Sequence, residues 1–404
     1  MRVAIGTCVA LSVLGLCPAA TAQTLTFQQA IDQARSRAPE ILASVARIDE
    51  ARARLLGASL RFRENPTLDL DVGPRTGAGR SSLDYSAAVG QAFEPPGRRR
   101  ARIASATATV DGESASADEV SRILVRDVAI AYVRAVGAGE RVRLLAEVEA
   151  AAAQLSAATD RRYQAGDVAA LDVNLTRIAA ARARADRLRA EAELGDAGRP
   201  LRTALGLAAD TPLALERVLD RAPAPRAVLV AAIERAPAVR RAEADVAAAQ
   251  AEQALGAALR RPGLAGRLSL SREQDDHIVV GGLSLTLPVF DSGQSVRAEA
   301  DARLRRATRE REAAVRALEV NVLAGLASYT QRRAAADALR DAALPAATDN
   351  EQLAVRSLEA GQLNLMDLLL VRQDATAARQ AYVDALTDAA VAAIEVDAAA
   401  GVLR

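Results

Sequence analysis

Residues 161–173 read RRYQAGDVAALDV, and residues 356–369 read RSLEAGQLNLMDLL. In each stretch an Ala-Gly pair, at 165–166 and at 360–361, is followed six residues later by an aspartate, Asp172 and Asp367. The two glycines lie 195 positions apart (361 − 166). Outward from these stretches the repetition continues: RAP at 37–39 returns at 235–237, and LGASLR from Leu56 returns as LGAALR from Leu255. A nearly constant offset between landmarks so far apart means that a whole structural unit is duplicated. The period is far longer than the ~20–50 residues of solenoid repeats, so the chain reads as a two-fold pseudosymmetric protein and not as an array.

Each copy has the same order. A short helix leads into an alternating hairpin: Leu68, Leu70 and Val72 alternate with Asp69 and Asp71, then Leu83, Tyr85, Ala87 and Val89 alternate with Asp84, Ser86 and Gly90. In the second copy Leu268 and Leu270 alternate with Ser269 and Ser271, and Leu283, Leu285 and Leu287 with Ser284 and Thr286. Period two with polar partners predicts strands. EPPG at 94–97 and PVFDSG at 288–293 stop the strands and start helices.

From Arg98 to Ala165, and from Gln294 to Ala360 with Pro345 as its single proline, apolar residues recur at helical spacing. Val315, Leu318, Val322, Leu326 and Tyr329 trace the seam of a coiled coil. Helices of this order reach roughly 100 Å, too long for one globular domain, so they project. After each Ala-Gly turn a helix returns, to about Gly195 and about Gly401, giving two helical hairpins tipped by Gly166 and Gly361, where glycine accepts a positive φ. The predicted organisation is a leader at 1–22; a first repeat at 23–206 with its hairpin at about 65–93; a linker at 207–235, rich in Pro and Ala; and a second repeat at 236–404 with its hairpin at about 264–288.

Hydrophobic residues make up 50% of the chain but aromatic ones only 2%, so alanine carries the apolar fraction. Alanine is the best helix former and covers little surface, which predicts long, closely packed helices without bulky cores. The basic residues are all arginine, the mark of a GC-rich genome, and a net charge of +1 excludes a nucleic-acid partner that needs a basic face. Residues 1–22 read as a cleaved secretory signal: Arg2, the apolar stretch Val9 to Leu16, and Ala20-Thr21-Ala22 before Gln23. Both cysteines, Cys8 and Cys17, fall inside it, leaving the mature chain without disulfides or thiolate ligands. Leu16 is too large for lipidation at Cys17 to be expected.

Beyond the leader no charge-free apolar run approaches the ~18 residues of a membrane helix. A membrane contact must therefore use strands. Barrels must close, and the smallest have 8 strands; one chain carries four, so an oligomer of two, three or four copies is needed.

These features resemble the TolC-type outer-membrane factors of tripartite efflux systems, on the paired tips RRYQAGDVAALDV and RSLEAGQLNLMDLL, the PVFDSG element and the order of the whole mature chain. EPPGRRRARI at 94–103 is most similar to the branch serving heavy-metal efflux pumps. The resemblance implies a mainly α fold with a small β part: long helical hairpins form a periplasmic tunnel, and four strands per chain contribute to a trimeric 12-stranded transmembrane barrel. It implies a homotrimer in outer-membrane lipid, a periplasmic adaptor, and an inner-membrane pump of the resistance-nodulation-division class. The tips, with Arg162, Tyr163, Gly166, Asp172, Gly361, Leu363 and Leu365, would dock the adaptor. Asp367 matches the first acidic residue at the family's periplasmic entrance; Leu370 stands where a second acid is common, which weakens such a gate or shifts it to another carboxylate such as Asp374.

Plainer readings compete. Asp172 and Asp367 both suit the positive end of a helix dipole, which explains the pair without a gate. The RRR run at 98–100 opens a helix, where cations are mildly unfavourable, and reads as a solvated run, with a contact at the barrel junction as the alternative. His277, the single histidine, stands beside Asp275 and Asp276; a metal site collects more ligands, so neither a metal nor a cofactor is expected. No nucleophile elbow, zinc signature or phosphate loop is present, and GAGRSS at 77–82 is a hairpin turn; the chain reads as no enzyme. Against an exit duct stands a non-transporting periplasmic or surface coiled-coil scaffold, which would need neither amphipathic hairpins nor duplicated tips.

Overall fold

The computed structural model describes residues 24–77, 80–95, 97–273 and 276–403. The leader with Cys8 and Cys17 lies outside them, as does Asp275. The first copy runs α1 (Phe27–Arg37), α2 (Pro39–Ser59), β1 (Thr67–Gly77), β2 (Arg80–Phe93), α3 (Arg98–Gln164) and α4 (Ala170–Leu205). The second runs α5 (Arg226–Ala232), α6 (Pro237–Ala258), β3 (Gly263–Glu273), β4 (Asp276–Thr286), α7 (Gln294–Ala338), α8 (Leu344–Glu359) and α9 (Leu365–Ala399). Local chemistry repeats with the sequence. Ala38 and Ala236 are extended and Pro39 and Pro237 open the helices after them; proline suits a first turn, where its missing N–H has no partner to lose. Gly97 and Gly293, at φ 95° and 75°, turn the chain from sheet into helix, a conformation glycine adopts without a steric cost.

Two elements differ from the sequence reading. Helix α4 does not stop near Gly195; it passes through Pro200 to Leu205 and ends on Gly206 at φ 64°. The break Pro200 should cause is offset by Leu201 and Leu205, both fully buried beyond it. Second, α7 and α8 are not one uniform helix, because a π-helical turn at Leu339–Ala343 joins them and Pro345 follows at the start of α8. A proline ring collides with the carbonyl four residues earlier, here Asp341, and the wider turn makes room for it. The segment between the copies is packed against the helices. Leu25 N–H donates to the Ala214 carbonyl (2.7 Å) and Glu216 N–H to the Leu25 carbonyl (3.1 Å). The Tyr132 hydroxyl donates at 2.7 Å to Leu25 O, with Glu216 O at 3.1 Å.

The core sits where α1, α3, α4 and α9 meet this segment, around Ile31, Val128, Tyr132, Leu201, Leu205 and Ile394. A second cluster joins Leu229 and Ile233 to Val322 and Val396. Elsewhere the helices touch mostly through alanine. At ~0.8 kcal/mol per buried methyl-sized group, cohesion comes from the length of the seams.

The strands form one antiparallel sheet in the order β1-β2-β3-β4. Register places residues in rows across it: Leu70, Ala87, Leu270 and Val279; then Leu68, Val89, Leu268 and Gly281; then Gln91, Gly266 and Leu283; then Phe93, Leu264 and Leu285. Side chains alternate between faces, so these rows share one side, and it is open: Leu283 is 80% exposed. The other side is polar. There Arg75 pairs with Asp84 and Glu273 (2.6 Å each), Arg267 lies 3.7 Å from Asp69, and the Ser86 hydroxyl donates to Asp71 at 3.1 Å. Neighbouring helices α2, α3, α6 and α7 pack in the same lateral order as the strands they adjoin. Among the described residues no helix is long and apolar enough to cross a membrane.

Candidate functional site: the paired tips and the open sheet

Both long helices end in the same way. At the first tip Gly166 has φ 84°; its N–H donates to Tyr163 O and the Asp167 N–H to Arg162 O, both at 2.9 Å. At the second, Gly361 has φ 72°; its N–H donates to Leu358 O (3.1 Å) and the Gln362 N–H to Ser357 O (2.8 Å). This paired closure satisfies carbonyls that a helix end leaves open and requires a left-handed residue. A β-carbon at either glycine would meet nothing within 4 Å, so glycine is required by conformation and not by crowding.

The aspartates stand third in the returning helices. The Asp172 carboxylate accepts the Ala169 N–H at 3.3 Å, and the Asp367 N–H donates to Asn364 Oδ1 at 2.9 Å. Both therefore sit at a positive helix end, as the plainer reading had it. Val173 and Leu368, next in each helix, are buried and fix the tips. Outside this anchor, Leu363 and Leu365 are half-buried, and the Leu363 N–H donates to Ser357 O at 3.2 Å. Arg162 is exposed, and Tyr163, Leu171, Met366 and Leu370 leave about half or more of their surface open. Each tip is thus a rigid turn bearing apolar side chains. Leu370, noted in the sequence as a missing acid, is instead part of that apolar surface.

At the other end of the helices the arginine run is not simply solvated. Arg99 donates to Ser59 O at 2.7 and 3.2 Å; Arg102 donates to Ala58 O (2.9 Å), Leu60 O (3.0 Å) and Glu94 (2.6 Å). These carbonyls end α2, where cations are favourable. Arg99 of the run, with Arg102 just beyond it, ties α2, the end of β2 and α3 together at the junction of helix and sheet. Arg102 was missed from sequence because the carbonyls it closes lie some 40 residues away.

Midway along, a belt of charge joins the copies. Arg217 pairs with Glu140 of α3 (2.6 Å), Asp220 with Arg333 of α7, and Arg221 lies 3.8 Å from Asp397 of α9. Asp397 also accepts the Ala224 N–H at 2.8 Å. Burial pushes its carboxyl above the usual range, against that N–H and Arg221. The Arg221 guanidinium rests 4.6 Å from the Phe27 ring centre. Hydrogen bonds from Arg333 to Asp220 and Asp337 hold its guanidinium pKa well above its ordinary value. Among the described residues no group of three or more His, Cys, Asp or Glu could hold a metal.

The sequence pattern of the outer membrane efflux protein family matches residues 30–207 and 228–402. The chain belongs to this family. It is 26% identical over 390 residues to the cobalt-zinc-cadmium resistance protein CzcC of Cupriavidus metallidurans, covering 96% of this chain and 92% of the relative. A membrane protein from Pseudomonas aeruginosa superposes with a TM-score of 0.77 at 21% identity, over 93% of this chain and 90% of that one. CusC, whose crystal structures concern folding and transmembrane channel formation, superposes at 0.75 and 18% identity, over 93% and 91%. At these identities the likeness is one of fold: long helical hairpins carrying a small antiparallel sheet. In this chain the helices join two exposed apolar regions, one face of the sheet at one end and the paired tips at the other.

Proposed function

We propose that three copies of this chain close into an outer-membrane exit duct extending into the periplasm. One observation carries the reading: an open sheet of four strands with one apolar, exposed face, one ion-paired face, and two edges, β1 and β4, that no strand among the described residues covers. An open edge in lipid leaves backbone groups unsatisfied. In an up-and-down sheet of even strand number, β4 of one copy meets β1 of the next antiparallel, so head-to-tail addition closes a ring, and three copies make 12 strands. The apolar face then meets outer-membrane lipid and the ion-paired face lines the pore.

The α3–α4 and α8–α9 hairpins of three copies form a tunnel, and their tips dock a periplasmic adaptor that links the duct to an inner-membrane pump of the resistance-nodulation-division class. Anchored turns bearing Tyr163, Leu171, Met366 and Leu370 support the docking. Asp367, repeated three times, forms an acidic ring at the entrance. The likeness to a protein named for cobalt, zinc and cadmium resistance supports heavy-metal cations as cargo. The chain performs no chemistry on that cargo.

The test is mass measurement of the detergent-purified protein together with conductance in planar bilayers. Three copies that conduct are expected; a stable folded monomer, or a trimer that never conducts, overturns the reading.

A further inference from the structure

The apolar face of the sheet is slanted, not rectangular. On β1 the outward residues are apolar from Leu68 to Pro74, whereas on β4 they are apolar from Val279 to Leu285. In register, Leu68 shares a row with Gly281 and Val72 with His277, so the band on β4 lies two rows, or four residues, further from the hairpin turns. Four residues at ~3.4 Å are about 14 Å, and three strand spacings at ~4.8 Å are also about 14 Å. The band therefore crosses the strands at about 45°, the tilt strands take in a membrane barrel, and its upper edge follows the bilayer boundary.

On β3 and β4 that edge ends at Arg272 and His277. Val72, Tyr85, Arg272 and His277 are consecutive partners across the sheet on the apolar side. Below them on β3 and β4 come Leu270 and Val279; the hairpin turn lies above, at the end remote from every helix. A cation on the lipid-facing side is costly at mid-bilayer and nearly free at the interface, which sets the Arg272 and His277 end of this row at headgroup depth, while Val72 and Tyr85, one row below Pro74 and Leu83, stay within the slanted band. Directly paired cross-strand residues hold their β-carbons ~5 Å apart, close enough for both to reach one phosphate. A guanidinium fork binds phosphate oxygens in pairs.

We propose that Arg272 and His277 together bind the phosphate of a phosphorylated outer-leaflet lipid and hold the barrel at a fixed depth. This rests on the barrel reading above. The probe is a diphosphorylated disaccharide lipid compared with the same lipid stripped of phosphate, each incubated with the full-length detergent-purified protein and quantified by native mass spectrometry. Wild type should retain the phosphorylated lipid about tenfold better, Arg272→Gln should lose about fivefold of that, and Arg272→Gln with His277→Gln should lose the rest. Excess inorganic phosphate should not displace the lipid. Equal retention of both lipids by wild type, or unchanged preference in the double variant, overturns the proposal, and the wild-type comparison decides even where a variant fails to fold. Bilayer conductance of the same wild-type preparation separates the two readings: a conducting protein without phosphate preference defeats only this site, and a non-conducting one defeats the barrel.

Discussion

Gly137 in α3 packs so closely on Thr387 in α9 that a β-carbon at 137 would overlap the Thr387 hydroxyl, with the Thr387 β-carbon only 3.3 Å away. One turn on, Arg141 donates to Glu193 of α4 at 2.8 Å and to Asp384 of α9, so the two hairpins are joined at this height by a close contact and an ion bridge.

Gly137→Ala sets two effects against each other. Alanine favours a helix by ~1 kcal/mol over glycine, whereas overpacking costs ~1–3 kcal/mol. Because Thr387 is fixed by its own bond to Val383 O at 2.7 Å, the clash should win and lower the melting temperature. Adding Thr387→Ala should restore most of the loss; a Gly137→Ala protein more stable than wild type would show that the helices separate freely here.

At the tips, the open space around Gly361 makes conformation the only constraint. Gly361→Asn, which tolerates a left-handed backbone, should keep efflux, while Gly361→Val, a β-branched residue, should lose most of it. Trimer mass and membrane insertion should be unchanged in both. Normal export by the valine variant would remove the tip from the docking surface.

Three Asp367 carboxylates gathered on one axis would attract cations and repel one another. Planar-bilayer recordings at low salt, where screening is least, should show weaker cation preference in Asp367→Asn than in wild type. Identical selectivity would leave Asp367 with the helix-start position it shares with Asp172.

Asp397 gives a pH dependence of known sign. Its folded pKa is raised by burial, so its stabilising contribution is complete below the unfolded value of ~3.9 and is lost as pH rises through the folded value. Asp397→Asn keeps an acceptor for the Ala224 N–H without the buried charge, so melting temperatures taken from pH 4 upward should lose that decline and match or exceed wild type at pH 7. Asp397→Ala leaves the N–H unpaired and should cost ~1–3 kcal/mol throughout. A strongly destabilised asparagine variant at pH 7 would mean that attraction to Arg221 outweighs burial.

The sequence by itself determined whatever follows from neighbours along the chain. Period-two alternation marked β1 to β4, helical spacing marked α3 and α7, and the Ala-Gly pairs marked turns whose glycines do take positive φ, each from chemistry confined to a few consecutive residues. The aspartates six residues on were legible as helix-start groups for the same reason. Only the tertiary structure decided what depends on residues far apart: Arg102 closing the end of α2, the segment at 207–225 locked by Glu140, Arg333 and Asp397, and Pro200 carried within a helix because Leu201 and Leu205 are buried beyond it. It also decided the register that sets Arg272 beside His277 at the slanted edge of the apolar band. A side chain's local pattern states which structure it favours, but its partners, and so its charge, burial and role, exist only once the long helices have brought distant segments together.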